Sequence, residues 1–275
     1  MQQIAISKEV ISKIITKELS KINISVTYAC NYRCKTCNIW KIYLETPDLK
    51  NIELTLSDYE HLFKENQELI WISFTGGEPF LRIDFPDIVI SALNNMKKVR
   101  IINLVTNGSL PEQVEKGVRR ILNNARKGVN ILVEVSLDGV DSVHNDIRGI
   151  QGAYERALET FLRLKSLKED SDFFDAKLEY TLSKFNVGLL KKTIDGLRAS
   201  KVPFNLSDLI ITFAHNSFYY RNLQNDIKPQ TDLIISEVSW FLNQFRGRNP
   251  FDQVMRTYLK LALRYFNGRW RPPCV

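Results

Sequence analysis

The sequence lacks the features that mark several classes of protein. Of its 275 residues only four are cysteine, 12 are glycine and 9 are proline. These counts exclude a disulfide scaffold and a collagen-like or low-complexity chain. No apolar run approaches the roughly 18 residues that a membrane-spanning helix needs, and residues 1–4 lack the basic and apolar regions of a secretory signal. We therefore expect a globular protein of the cytoplasm that spans no membrane.

Neither sign of charge dominates strongly. The chain has 38 lysine and arginine residues against 31 aspartate and glutamate residues, which gives a net charge of +7. The basic residues are scattered, so the charge permits an anionic partner but does not predict nucleic-acid binding. With 44% hydrophobic residues, the chain is long enough to bury one large α/β core or two smaller ones.

The few cysteines are clustered. Cys30, Cys34 and Cys37 lie within eight residues, and the fourth, Cys274, is next to last. Thiolates are soft ligands that suit an iron–sulfur cluster or zinc. A structural zinc site needs a fourth ligand nearby, whereas all three histidines are distant in sequence. A cluster held by three cysteines leaves one iron open to a small molecule, and the alternatives are a zinc site and a chance grouping.

The hydrophobic pattern alternates between short strands and longer helices. Apolar runs rich in β-branched residues predict buried parallel strands at 22–27, 70–74, 99–105, 129–137, 176–182 and 209–213. Helical patterns lie between them at 57–69, 85–97, 112–125, 154–167 and 189–199. The first of these is predicted to begin at a capping box of Ser57 and Glu60. The order predicts a parallel sheet or barrel with right-handed crossovers, followed by helices at 231–245 and 251–266.

Polar or glycine-containing motifs follow every predicted strand. They lie at 30–37, 75–79, 106–108, 136–139, 183–186 and 214–216. In parallel α/β proteins the ligand binds at the carboxyl ends of the strands. We therefore expect these motifs to form the rim of one site. His215 is a candidate for the substrate side, with a structural role as the alternative. Asn186 is a further polar candidate, with a capping or turn role as the alternative.

Several of these motifs carry a family resemblance. The loop Cys30-Asn-Tyr-Arg-Cys34-Lys-Thr-Cys37 resembles the cluster loop of the radical S-adenosylmethionine (SAM) superfamily, and residues 75–79 resemble its Gly-Gly-Glu-Pro motif. Residues 106–108, 136–139 and 144–149 resemble later motifs of the subgroup with a cysteine-rich, SPASM-like C-terminal extension. The resemblance extends over residues 22–216. It implies a partial (β/α)₆ TIM-type barrel with C-terminal helices, a [4Fe–4S] cluster and SAM.

The same resemblance suggests how the chain is divided. Residues 1–216 would form the radical SAM core, and residues 217–275 would form a C-terminal helical extension. The end of that extension, Pro272-Pro273-Cys274-Val275, resembles the entry to a region that binds auxiliary clusters in peptide- and protein-modifying relatives. The alternative is an ordinary terminal cysteine.

Roles for single residues also follow from the resemblance. Each thiolate of Cys30, Cys34 and Cys37 would bind one iron, and SAM would chelate the fourth. Gly76 and Gly77 would let the backbone approach the methionine ammonium of SAM, because glycine has no Cβ. Glu78 would supply a compensating negative charge.

Four further residues would contact SAM or line its surroundings. Arg148 would pair with the SAM carboxylate, because its fork of donors suits that geometry. Ser136 would reach the ribose or the carboxylate. Asn107 and Asp138 would lie on the ribose or substrate side. The resemblance assigns no catalytic residue.

The activity implied is reductive cleavage of SAM to a 5′-deoxyadenosyl radical that takes a hydrogen atom from a substrate. An electron donor such as ferredoxin or flavodoxin would serve it. A peptide or protein side chain is the expected substrate, and a small metabolite or lipid is the alternative. A metal-binding module without catalysis is the third hypothesis.

Overall fold

The fold is built on a parallel sheet. The computed structural model describes residues 20–168, 171–200, 202–247 and 249–271. In that part of the chain six strands form one sheet, ordered as they occur in the sequence. They are β1 (Lys21–Ser25), β2 (Trp71–Thr75), β3 (Ile101–Thr106), β4 (Asn130–Ser136), β5 (Phe174–Leu182) and β6 (Leu209–Phe213). The predicted α/β class with a parallel sheet is confirmed.

Helices connect the strands and follow the last one. The described α-helices are α1 (Ile42–Glu45), α2 (Leu56–Glu65), α3 (Phe85–Asn95), α4 (Pro111–Asn123), α5 (Ser142–Arg148), α6 (Ala153–Leu167), α7 (Leu190–Ala199), α8 (Thr231–Gln244) and α9 (Pro250–Phe266). Short 3-10 turns occur at Ile39–Lys41, Pro47–Ile52, Pro79–Leu81 and Leu206–Asp208. None of the described helices is both long and apolar enough to cross a membrane.

The sheet forms where apolar side chains stand in register on neighbouring strands. Ile72 of β2 pairs with Ile102 of β3, and Phe74 pairs with Leu104. All four side chains are fully buried. Burial of each such side chain stabilises the fold by about 1.5–3 kcal/mol, which explains why nearly continuous apolar runs give strands here.

Helix α2 begins earlier than the sequence pattern predicts. Its N-cap is Thr55, whose hydroxyl accepts a hydrogen bond from Asp58 N at 3.3 Å. The Asp58 carboxylate in turn accepts from Thr55 N at 2.7 Å. The prediction of a box at Ser57 and Glu60 was therefore wrong. Both four-residue stretches satisfy the capping pattern, and only Thr55 has the extended backbone that an N-cap requires.

Helix α5 was not predicted, because seven residues are too few to show a helical period. The helix ends at Gly149, whose φ of +68° places it in the left-handed region that commonly terminates helices. It carries His144 and Arg148, which are four residues apart and therefore on one face.

The described residues fall into two compact units. The first is bounded by 1–33, 38–135 and 156–177, and the second by 34–37, 136–155 and 178–275. Neither has a boundary at residue 216, and the functional division there stays a prediction. Within the second unit, Phe213 at the end of β6 packs against Phe266 of α9 with ring centroids 5.0 Å apart.

Candidate cofactor site

The expected site residues occur in both units, and the cysteine loop itself is shared between them. Cys30 belongs to the first unit, whereas Cys34 and Cys37 belong to the second. All three are partly buried. Among the described residues no three His, Cys, Asp or Glu side chains are grouped so as to hold a single metal ion. A [4Fe–4S] cluster makes a different demand, because each thiolate binds a different iron atom.

In the first unit, the glycine turn after β2 is fixed to the segment that leads from β1 to Cys30. Gly77 N donates to Thr27 O and Glu78 N donates to Ala29 O, each at 2.8 Å. A Cβ on Gly76 would lie 2.3 Å from Thr27 O, and one on Gly77 would lie 2.1 Å from Ala29 O. Both glycines are therefore required by the neighbouring backbone. Their approach to the SAM ammonium stays a prediction.

Glu78 is fully buried and joins the turn after β2 to the turn after β3. Its Oε1 accepts from Phe80 N at 3.1 Å and from Thr106 Oγ1 at 2.8 Å. Its Oε2 accepts from Asn107 N at 2.6 Å. A buried carboxylate needs such donors, because an unsatisfied one would carry a large desolvation cost. Glu78 thus fixes the geometry of both turns.

Asn107 lies beside the first cysteine. Its Nδ2 donates to Asn31 Oδ1 at 2.9 Å and approaches Cys30 Sγ at 4.0 Å. Its Oδ1 accepts from Ser109 N at 2.9 Å, and Asn31 Nδ2 donates to Ser109 Oγ at 2.8 Å. These bonds attach the loop after β3 to the start of the cysteine loop. The expected contact of Asn107 with ribose or substrate stays a prediction.

In the second unit, Arg148 and Asp138 form a buried ion pair next to Cys34. Arg148 Nε lies 2.7 Å from Asp138 Oδ2, and Arg148 Nη1 lies 3.9 Å from Cys34 Sγ. The Asp138 side chain is 3% exposed and that of Arg148 is 13% exposed. A guanidinium carries five N–H donors, so this arrangement can bind a further anion close to Cys34.

The electrostatics of this group follow from burial. Burial opposes the charge of Arg148, yet the pKa of its guanidinium is raised because Asp138 and Cys34 lie beside it. Burial raises the pKa of the Cys34 thiol, and Arg148 partly offsets that effect. Burial likewise raises the pKa of Asp138 against the opposing effect of Arg148.

His144 positions Asp138 from the same helix that carries Arg148. Asp138 N donates to His144 Nδ1 at 2.9 Å, so the acceptor nitrogen of the ring faces the backbone. The ring is fully buried. Burial, and then the nearby charge of Arg148, lowers the pKa of His144 well below its ordinary value. The imidazole is therefore neutral and serves as a hydrogen-bond acceptor.

Three other candidates differ in their surroundings. Ser136 ends β4 and is buried. Asn186 is fully buried, and its Nδ2 donates to Asp138 O at 2.9 Å and to Thr181 O at 3.0 Å, a turn-forming arrangement. His215 is exposed, with its ring 5.4 Å from that of Tyr220. Cys274 lies outside the described residues.

Glu179 on β5 is a candidate that the sequence pattern did not reveal. Thr212 Oγ1 on β6 donates to Glu179 Oε1 at 3.3 Å, and Leu137 N donates to Glu179 O at 2.8 Å. Burial raises the pKa of Glu179, Arg148 lowers it and Asp138 raises it. The available signal was an acidic residue between the apolar residues Leu178 and Tyr180 of the strand.

Comparisons with known proteins identify the family to which the chain belongs. A model of the radical SAM superfamily matches residues 24–175, more than half of the chain. Fe-coproporphyrin III synthase of Methanosarcina barkeri is 28% identical over 183 residues, and GTP 3′,8-cyclase of Mannheimia succiniciproducens is 31% identical over 154. These matches cover 65% and 52% of this chain but only 41% and 43% of the relatives' own lengths.

Solved structures with a similar fold have low sequence identity. The structure of anSMEcpe with bound AdoMet and Cp18Cys peptide is 16% identical with a TM-score of 0.58, over 91% of this chain and 62% of that one. Streptococcus suis SuiB is 16% identical with a TM-score of 0.57, over 88% and 51%. The fold and the family match together show that the chain belongs to the radical SAM superfamily, whose members use a [4Fe–4S] cluster and SAM.

Proposed function

We propose that this chain is the core of a radical SAM enzyme whose substrate is a peptide or protein side chain. When bound, the cluster and SAM would supply a 5′-deoxyadenosyl radical that removes a hydrogen atom from the substrate. The observation that carries the proposal is the buried Arg148–Asp138 pair beside Cys34. It combines a donor fork for a carboxylate with a thiol from the cysteine loop.

The donor chemistry of the cysteine loop fits a cluster. Cys30, Cys34 and Cys37 offer three thiolates within eight residues, and thiolates are the usual protein ligands of iron–sulfur clusters. We propose that these three hold the irons. The hydrogen bonds of Asn107 around Asn31 would keep the first of them in position.

Arg148 is the proposed partner of the SAM carboxylate. Its Nε lies 2.7 Å from Asp138 Oδ2, and the Nη groups of the fork supply N–H donors for a carboxylate. We propose that Asp138 contributes by positioning Arg148. His144 Nδ1 in turn accepts a hydrogen bond from Asp138 N. Ser136, at the end of β4, is proposed to contact the ribose or carboxylate.

The glycine turn of the first unit is the proposed partner of the SAM ammonium. Gly76 and Gly77 shape the turn, and the bonds from Phe80 N, Thr106 Oγ1 and Asn107 N fix Glu78 behind it. The Glu78 carboxylate is proposed to supply the negative charge that compensates the ammonium.

The substrate class is inferred from motifs, because the named relatives act on different molecules. Residues 136–139 and 144–149 resemble motifs of the subgroup with a cysteine-rich C-terminal extension. The sequence at 272–275 resembles the entry to that extension in peptide- and protein-modifying relatives, which supports a peptide or protein side chain. The names GTP 3′,8-cyclase and Fe-coproporphyrin III synthase favour a small metabolite instead. Membership of the subgroup with a cysteine-rich, SPASM-like extension, a cytoplasmic location and a donor such as ferredoxin or flavodoxin complete the proposal.

Anaerobic reconstitution tests the chemistry. We expect about four irons and four sulfides per chain, and formation of 5′-deoxyadenosine from SAM after reduction. A variant in which Cys30, Cys34 and Cys37 are all alanine should lose both. A full cluster signal in that variant would show that the ligand assignment is wrong, and iron without SAM cleavage would favour a non-catalytic module.

A second assay tests the substrate class. The yield of 5′-deoxyadenosine is compared after addition of a peptide fraction, a small-metabolite fraction or a lipid fraction. We expect stimulation by peptides, and in particular by a small peptide encoded beside this protein's coding region. Stimulation only by metabolites or lipids would contradict the peptide proposal and favour a small metabolite or lipid as the substrate.

A further inference from the structure

A network of amide side chains orders the loop that follows β6, residues 214–228, here called the post-β6 loop. Asn222 at its centre is fully buried. Asn222 Oδ1 accepts from Ser217 N at 2.8 Å, and Asn216 Nδ2 donates to Asn225 O at 2.8 Å. At its far end Ile227 O accepts from Lys184 N at 3.0 Å. The loop is therefore fixed at its far end and from within.

Asn222 also reaches out of its own loop to the cysteine loop. Its Nδ2 donates to Thr36 O at 2.8 Å and to His215 O at 3.2 Å. Thr36 is 186 positions away in sequence and immediately precedes Cys37. Asn222, Thr36 and His215 all belong to the second unit.

The bond to Thr36 constrains a cluster ligand through covalent geometry. Thr36 O belongs to the peptide group whose nitrogen is that of Cys37, and a peptide group is planar. Fixing the carbonyl therefore fixes the plane from which the Cys37 side chain projects. Two backbone hydrogen bonds also hold residues 34–37. Lys35 N donates to Ile147 O at 2.9 Å, and Cys37 N donates to Cys34 O at 3.4 Å.

We infer that Asn222 is a positioning residue that orients Cys37 for the cluster through its bond to Thr36 O. The inference rests on the proposed function, because it assumes that Cys37 is a cluster ligand. It adds residues 217–228 of the post-β6 loop, which lie beyond the motif at 214–216, to the parts of the chain that shape the cluster loop.

Paired variants separate this role from simple folding of the loop. Asn222→Asp keeps an acceptor for Ser217 N but replaces the donor that faces Thr36 O. Asn216→Asp removes a donor of the same kind whose bonds stay inside the post-β6 loop. Amide hydrogen exchange of the protein without iron reports the order of the cysteine loop. The rate of iron release to a chelator and the electron paramagnetic resonance spectrum of the reduced cluster report its environment.

We expect Asn222→Asp to accelerate exchange at Cys37 N by about five- to tenfold, which corresponds to the loss of one buried hydrogen bond. Iron release should quicken several-fold and the spectrum should change, whereas Asn216→Asp should alter none of the three. If Asn222→Asp does not fold, Asn222→Ser replaces it under the same criteria.

Two results would overturn the inference. One is that Asn222→Asp shows the same amide exchange, iron release and spectrum as the wild-type protein. The other is an equal effect of Asn216→Asp on these measurements, which would assign the change to the loop as a whole. Failure of the proposed function is distinguishable, since the wild-type protein would then form no 5′-deoxyadenosine whatever the exchange data show.

Discussion

At the scale of single residues, the second unit contains the buried ion pair of Arg148 and Asp138. Breaking a buried ion pair by removing one partner commonly costs about 3–5 kcal/mol, because the other charge is left uncompensated. Such a pair is therefore costly to lose and is a weak means of stabilising a fold. Its position beside Cys34 fits the proposed role in binding SAM.

The first prediction concerns the guanidinium fork of Arg148. Arg148→Lys keeps the positive charge but cannot hold Asp138 and a carboxylate in two fixed directions. We expect SAM affinity to fall by at least about tenfold, a difference of about 1.4 kcal/mol, in equilibrium binding to the reconstituted protein. Arg163→Lys, a change at an ion pair on α6, is the control and should leave affinity unchanged. Equal affinity of both variants would contradict the proposed carboxylate contact.

The second prediction uses the buried histidine. The unfolded chain binds a proton at His144 below pH 6.5, whereas the folded chain resists it because its pKa is depressed. Stability should therefore fall as pH drops below 6.5, by about 1.4 kcal/mol for each pH unit until the folded-state pKa is reached. Denaturant titrations between pH 7 and pH 5 measure this slope.

A matched pair of variants assigns the slope to one histidine. His144→Gln retains an acceptor for Asp138 N and should flatten the pH dependence. His61→Gln alters an exposed histidine of α2 that lies 3.2 Å from Glu65, and it should keep the wild-type slope. A slope that is unchanged in His144→Gln would refute the assignment.

At the scale of elements, α5 combines two functions within seven residues. His144 accepts from Asp138 N, and Arg148 on the same face binds the Asp138 carboxylate. The helix thus holds one aspartate at both its backbone and its side chain. Its end at Gly149 then determines where Arg148 lies.

The third prediction tests that end. Gly149 has a φ of +68°, and an alanine in this left-handed region costs about 1–2 kcal/mol. Gly149→Ala should therefore lower both stability and SAM affinity. Gly268→Ala is a matched control, because Gly268 has a φ of +69° in the turn after α9. Gly268→Ala should lower stability by a similar amount but leave SAM affinity unchanged. A loss of SAM affinity in both variants would contradict a specific role of α5 in SAM binding.

The elements also show what could be predicted from sequence. The strands were identifiable because apolar β-branched runs are buried on both faces of a parallel sheet, as with Ile72 and Phe74. The cysteines and the glycine turn were identifiable because their spacing is chemically specific. The post-β6 contact of Asn222 with Thr36 depends on residues 186 positions apart, and no local pattern encodes it. Glu179 could not be identified because Leu178 and Tyr180 on either side of it fit the pattern of a buried strand.

At the scale of the whole molecule, the surroundings of Glu179 differ in charge from the chain as a whole. The net charge of the chain is +7. Near Glu179, in contrast, two carboxyl groups, those of Glu179 and Asp138, lie near one guanidinium, that of Arg148. With Arg148 paired to Asp138, Glu179 has a hydroxyl partner in Thr212. A partly buried carboxylate in this situation favours a substrate group that donates a hydrogen bond or carries positive charge.

The last prediction follows from that charge. Glu179→Gln keeps the shape of the side chain and removes its charge, so it should raise the KM for the substrate and increase the fraction of SAM cleaved without product. SAM affinity should remain within about twofold, because Arg148 and Asp138 are untouched. Asp175→Asn on the same strand is the control, since Asp175 is paired with Lys177 at 2.8 Å. A loss of SAM affinity in Glu179→Gln equal to its loss of substrate binding would place Glu179 with the cofactor, because a group that contacts the substrate alone cannot change the affinity for SAM in the absence of substrate.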